Sequence, residues 1–365
     1  MTPLRVIVAG GGTGGHLYPG IAVARELLRR LPDTTVTFAG TSRGIESRVI
    51  PREGFELDLI RSAGLKGTSP AALARGLLLL PLGALDAWRI LSQRSPDIVI
   101  GVGGYASGPV VLAAAVRRIP TLLMEQNAVP GLTNRMLARV VDAAAVTFEE
   151  TVTYFGRRGF VTGNPVRAEF FEDVSAQQQM VPGGATAPRV LIFGGSQGAH
   201  AINMAMVEAA PRLAAHPGGL AITHQTGERD LARVRAAYAA AGLEARVEPF
   251  LFAMHREVIA ADFVVSRGGA TSIAELTAAS KPALLIPLPT AADDHQRRNA
   301  DVLARAGAAE VLDQTTLTGA VLADRIIALA NDAGRRASMA RAARGLARPD
   351  ATAAIADRVL QVAGR

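Results

Sequence analysis

The chain has 365 residues, 49% hydrophobic and 19% charged, with no cysteine; it can build sizeable buried cores, and disulfides, thiolate metal sites and cysteine nucleophiles are excluded. That length exceeds one typical domain and predicts two. The net charge of +7, nearly all arginine, suits anionic partners such as phosphorylated molecules or acidic lipid, but no basic run with interleaved aromatics occurs, so no nucleic-acid partner is expected.

Met1–Arg5 runs straight into a strand, without the charged and apolar regions of a signal peptide. No apolar run reaches the roughly 20 residues of a spanning helix. Short β-branched runs then alternate with helical patterns. The predicted strands of the first half are Arg5–Ala9, Thr35–Ala39, Glu56–Ile60, Asp97–Val102, Thr121–Glu125 and Ala143–Thr147. Those of the second are Arg189–Phe193, Leu220–His224, Val247–Phe250, Phe263–Ser266, Ala283–Pro287 and Ala309–Leu312. Continuous apolar runs this short indicate strands buried on both faces, and their alternation with helices indicates parallel sheets. Between the halves, Glu172–Pro188 is polar, Gly/Pro-rich and aperiodic, as a linker is.

Arg5–His16 aligns without gaps on Arg189–His200, so each half begins with a strand, a glycine turn and a helix. The fold class expected is α/β: two tandem Rossmann-like, doubly wound domains facing a cleft, with ligands beyond the carboxyl ends of the strands. The expected boundaries are 1–163 for an N-terminal domain on the acceptor and membrane side and 164–345 for a C-terminal domain that takes the donor. Residues 346–365 are expected to form a helix that packs back on the first domain.

Gly10–Gly15 satisfies the G-x-G-x-x-G pattern, either as a phosphate cradle or as a plain tight turn. A dinucleotide site needs an acid at the end of the second strand, where the chain reads Phe38-Ala39-Gly40-Thr41-Ser42, so a nicotinamide cofactor is disfavoured and no cofactor is expected. Gly194–Gly198 repeats the cradle with Ser196 as an added hydroxyl donor. His16, at the first helix start, either takes a proton from an acceptor hydroxyl or packs the turn. In Ser266–Glu275, exposed amides suit a phosphate, and Glu275 either accepts from two ribose hydroxyls or closes a capping box with Ser272. Asp294 and His295 lack a clear third ligand, and no Asp-x-Asp occurs, so metal-independent chemistry is expected. Gly76–Ile90 holds four consecutive leucines and the single Trp88, flanked by Arg75, Arg89 and Arg94. It reads either as an interfacial membrane patch (Leu77, Leu78, Leu79, Leu82, Leu85 and Trp88 with Arg75 and Arg89) or as an ordinary buried helix.

Taken together, Gly11–Gly20, Gly103–Pro109, Glu125–Asn127, Gly163–Arg167, Gly194–Gly198, Arg267–Glu275 and His295–Ala300 resemble the MurG family over nearly the whole chain. The resemblance implies a GT-B fold and a metal-independent, inverting transfer of N-acetylglucosamine from UDP-GlcNAc to the C4 hydroxyl of undecaprenyl-linked lipid I, giving lipid II. It implies a peripheral position on the cytoplasmic face of the bacterial membrane, an anionic surface as partner, and other cell-wall or division proteins as further partners. Uracil is expected at the Leu251 backbone, although this chain reads Leu251-Phe252-Ala253-Met254 where many relatives carry an acid. Ser196 and the amides of Ala270, Thr271, Ser272, Ile273 and Ala274 are expected at the diphosphate. Glu275 is expected at the ribose and Gln296 at the sugar. Asn127 and Arg167 belong to the donor side. Thr13, Gly14 and Gly15 face the donor sugar and the acceptor diphosphate, and Gly103, Gly104, Tyr105 and Ser107 the acceptor. His16 is the first choice of base and Glu125 the reserve. The rival readings are another GT-B UDP-sugar enzyme (a 2-epimerase or glycolipid glycosyltransferase), a Rossmann dehydrogenase, and a non-catalytic lipid-binding module.

Overall fold

In the first strand, β1 (Arg5–Gly10), Val6 and Val8 point into one apolar layer while Ile7 and Ala9 point into another. A strand covered on both faces needs no polar alternation, which is why its sequence is a continuous apolar run. The computed structural model describes residues 3–62, 70–171, 187–195 and 197–365, with backbone only for 70–78. The predicted linker residues 172–186 therefore lie outside the described residues.

The first unit comprises Met1–Val166 and Arg348–Arg365. After β1 come α1 (Gly14–Arg30), β2 (Thr35–Gly40), α2 (Glu46–Arg52), β3 (Glu56–Leu59), α3 (Pro70–Arg94), β4 (Ile98–Gly103) and α4 (Ser107–Val116). Then follow β5 (Thr121–Glu125), α5 (Leu132–Leu137), β6 (Ala143–Val146) and β7 (Gly159–Val161). Among the described residues the sheet order is β3-β2-β1-β4-β5-β6-β7, all parallel. The order reverses direction between β1 and β4, so the switch point lies at the ends of those two strands.

The second unit is Arg167–Ala347. It contains β8 (Arg189–Phe193), α6 (His200–Ala214), β9 (Ala221–Gln225), α7 (Leu231–Ala241), β10 (Ala245–Glu248), α8 (Met254–Ala260) and β11 (Phe263–Ser266). It continues with α9 (Ala270–Ala278), β12 (Ala283–Leu285), α10 (His295–Arg305), β13 (Ala309–Val311), α11 (Gly319–Asn331) and α12 (Ala333–Leu346). Its described strands run β10-β9-β8-β11-β12-β13, again all parallel, with the switch point between β8 and β11. The final helix, α13 (Ala351–Val362), is part of the first unit: Ile355, Ala356 and Val359 join the core beneath α1, and Arg30 bonds Asp357 and the Ala353 carbonyl.

Each predicted strand has an observed counterpart. β7 was not foreseen, because Gly159-Phe160-Val161 is a three-residue edge strand whose burial is partial.

Candidate functional site

Both glycine turns stand at a switch point, where a doubly wound sheet opens for ligands. In the first unit, Gly10 lies opposite Gly103 in the β1–β4 pairing, and the register shifts there. Gly104 has φ 80°, and a Cβ on it would lie 2.3 Å from the Gly11 carbonyl oxygen, so the two loops approach closely only because that side chain is missing. The His16 imidazole lies over Gly103, where a Cβ would meet it at 2.9 Å. Thr13 is the extended N-cap of α1 but its hydroxyl makes no cap bond; Oγ1 sits 3.2 Å from His16 Nδ1 instead. Gly14 and Gly15, half-buried, open the helix beside them. Tyr105 is exposed, and Ser62 Oγ donates to its carbonyl at 2.8 Å. Ser107 is fully buried at the start of α4, under Gly101, where its side chain fills the space that this glycine leaves.

Glu125 is the last residue of β5. Its buried carboxylate accepts from the Asn127 backbone and side-chain amides at 3.0 and 3.2 Å, from Gly131 N–H at 3.0 Å and from Asn134 Nδ2 at 2.9 Å. Burial raises its pKa, and these donors pull the other way. Both oxygens are committed to holding the loop after β5, which places Asn127.

In the second unit Ser196 lies outside the described residues. The turn around it is fixed by Gly198 N–H donating to Gly195 O at 2.9 Å and by the close approach of Gly198 to the Thr226 carbonyl. Gln225, at the end of β9, spans the site: Nε2 donates to Gly195 O at 2.8 Å and Oε1 accepts from Leu251 N–H at 3.2 Å. Leu251 is buried, while Phe250 and Phe252 beside it are exposed and meet edge to face at 5.0 Å. His200, the repeat counterpart of His16, sits with Nδ1 2.9 Å from Asp230.

β11 delivers Ser266, after which Arg267 Nη1 donates to the Ile286 carbonyl at 2.9 Å and Gly269 caps α9. Ala270 and Ile273 are buried; Thr271, Ser272, Ala274 and Glu275 are half-buried. Ser272 and Glu275 both lie inside the helix and the N-cap is Gly269, so the capping-box alternative does not form. Burial pushes the Glu275 carboxyl up to about 7, against the opposing pull of the Arg167 charge. Arg167 itself stacks over Phe170 at 5.2 Å. α10 packs against this turn, with Asn299 Nδ2 donating to the Gly268 carbonyl at 3.2 Å. Gln296 Oε1 accepts from Leu288 N–H at 3.0 Å. Asp294 and His295 gain no third ligand: among the described residues no three His, Asp or Glu side chains converge.

On α3 the side chains of Arg75, Leu77 and Leu78 lie outside the description. Leu79 is half-buried; Leu82, Leu85 and Trp88 are exposed, at 36%, 64% and 50%, whereas Ala87, Ile90 and Leu91 face the core. Arg89 is exposed, and the Arg117 guanidinium lies 5.1 Å over the Trp88 ring. Leu112 and Val116 on α4 are exposed as well. Among the described residues no helix is long and apolar enough to cross a membrane.

Sequence reasoning missed two groups. Gln225 reads as an ordinary strand-end residue. Glu46 reads as a surface glutamate of a short helix, yet is 1% exposed and reaches under the first glycine turn. A lone acid after Gly40 and Gly44, two residues too small to shield it, was the available signal.

Two Rossmann-like units, each with a glycine turn at its switch point, and a half-buried carboxylate on the helix after β11 define a GT-B glycosyltransferase. The family models agree: the N-terminal domain of glycosyltransferase family 28 matches residues 6–146 and the C-terminal domain of that family matches 189–355. A crystal structure of Acinetobacter baumannii MurG superposes with a TM-score of 0.82 at 32% identity, covering 98% of this chain and 100% of that one. A calicheamicin glycosyltransferase matches at 0.71 and 17% identity, covering 100% and 99%, a likeness of fold alone. A relative in Anaeromyxobacter sp. strain Fw109-5 is 49% identical over 355 residues, covering 97% of this chain and 92% of its own, and one in Geobacter sulfurreducens is 47% identical over 358 residues, covering 98% of each. Both carry the name UDP-N-acetylglucosamine--N-acetylmuramyl-(pentapeptide) pyrophosphoryl-undecaprenol N-acetylglucosamine transferase. The chain belongs to the MurG family.

Proposed function

We propose that this chain transfers N-acetylglucosamine from UDP-GlcNAc to the C4 hydroxyl of the muramoyl sugar of lipid I, giving lipid II with inversion at the anomeric carbon. The near-complete coverage of relatives bearing that name carries the reading. The second unit takes the donor. Ser196 and the Ala270–Ala274 amides hold the diphosphate, where the α9 N-terminus favours negative charge. Glu275 accepts from the ribose hydroxyls, and Gln296 Nε2 meets the sugar. The Leu251 N–H is already used by Gln225, so the uracil N3–H donates to the Leu251 carbonyl. Arg167 completes the donor side.

In the first unit, His16, whose Nδ1 lies 3.2 Å from Thr13 Oγ1, is the base that takes the acceptor proton. Gly14, Gly15, Gly103, Gly104 and Tyr105 line the acceptor side. As the hydroxyl oxygen attacks the anomeric carbon, the bond to the UDP oxygen breaks, and the amides and helix end stabilise the departing diphosphate without a metal ion. The enzyme works peripherally at the cytoplasmic membrane face, through the exposed leucines and Trp88 of α3 and their arginines, with an anionic surface as partner.

The test is label transfer from UDP-GlcNAc to a lipid I analogue, with and without chelator. UDP release that requires the acceptor and survives chelation is expected. Conversion of the UDP-sugar without acceptor would point to an epimerase, and no UDP release to a lipid-binding module.

A further inference from the structure

We infer that Glu46 is a positioning residue for the transfer reaction, holding the first glycine turn from below so that Thr13 and His16 are aimed at the acceptor. This rests on the transferase reading above. The carboxylate enters from the first residue of α2 and is 1% exposed. Oε2 accepts from Gly12 N–H at 2.8 Å, and Oε1 accepts from Thr41 N–H at 2.9 Å and Thr41 Oγ1 at 2.8 Å. Three glycines make its room: a Cβ at Gly11, Gly40 or Gly44 would lie 2.4, 2.6 or 2.0 Å from Glu46 atoms. A buried carboxylate is retained only where such donors satisfy it, so the turn and the Gly40–Gly44 loop are locked as one piece.

The two turns, alike in sequence, are thereby braced in opposite ways. The second is held through a carbonyl, Gly195 O, by the neutral amide of Gln225. The first is held through an amide, Gly12 N–H, by an acid. An amide bound to Glu46 is not offered to a phosphate, so the Gly12 position serves geometry rather than anion binding. What it fixes is the next residue, Thr13, and through the Thr13–His16 contact the imidazole.

Glu46→Gln isolates this. One amide oxygen can still serve Thr41, but the NH2 then faces Gly12 N–H, donor against donor, and the turn must shift. In the full-length protein kcat should fall about 10- to 100-fold, as for a misplacement near 1 Å, while the calorimetric Kd for UDP-GlcNAc stays within about twofold. Thr41→Val removes one donor and keeps the carboxylate; it should give a smaller fall of about three- to tenfold, and it carries the test if the first variant does not fold. A lowered Tm with unchanged kcat in either folded variant would overturn the inference, as would a loss confined to donor Kd. A wild-type chain with no transfer would overturn the transferase reading and this one with it, whereas normal kcat in the variants overturns this one alone.

Discussion

The proposed ribose role of Glu275 makes donor recognition depend on pH. Its carboxyl titrates near 7 in the fold against an ordinary 4.5, because burial disfavours the charge. The proposed ribose contact uses the carboxylate form, so donor KM should climb as pH falls below about 7, and Glu275→Gln should flatten that profile. A raised folded pKa means the folded state holds the proton more tightly. The stabilisation is therefore complete below pH 4.5 and lost as pH rises through about 7, and Glu275→Gln should melt higher than wild type near pH 8 without ligand. Glu275→Ala should raise donor KM about 10- to 100-fold, the worth of hydrogen bonds to a charge. His16→Ala should lower kcat about 10²- to 10⁴-fold with UDP-GlcNAc binding retained; near-normal turnover would return it to packing the turn. His16 and Glu275 stand out as candidates in the sequence because each lies near a helix start in a local motif. Glu46 does not: its partner Gly12 lies 34 residues away, and no spacing rule reaches across a βα unit. The four loop donors on Glu125 were equally out of reach, because they converge on it only in the fold.

Strands were the easiest elements to find, since burial on both faces writes a continuous apolar run, whereas β7 at the sheet edge leaves no such mark. α3 was ambiguous in sequence, and the fold divides it: Ala87, Ile90 and Leu91 inward, Leu82, Leu85 and Trp88 outward. Leu85→Ser with Trp88→Ser should therefore weaken flotation with anionic vesicles, more so at high salt, and spare turnover on a soluble short-chain acceptor. Equal loss on both acceptors would count against a membrane role. α13 carries a different load. Ile355 is buried at 1% in the first unit's core, so Ile355→Ala should cost about 2–5 kcal/mol in urea unfolding of that unit.

At the scale of the whole chain, the gapless repeat foretold two units of one topology, and both sheets follow it. The two turns share a glycine pattern, yet one is braced by an acid on an amide and the other by an amide on a carbonyl. Such a difference is invisible in aligned glycines because it depends on side chains that arrive from neighbouring elements. The proposed inverting transfer makes one product. The decisive measurement is the anomeric configuration, by NMR, of the disaccharide formed from UDP-GlcNAc and a lipid I analogue. A β-1,4 linkage, formed only with acceptor present, is expected; an α linkage, or an altered UDP-sugar with no disaccharide, would contradict the assignment.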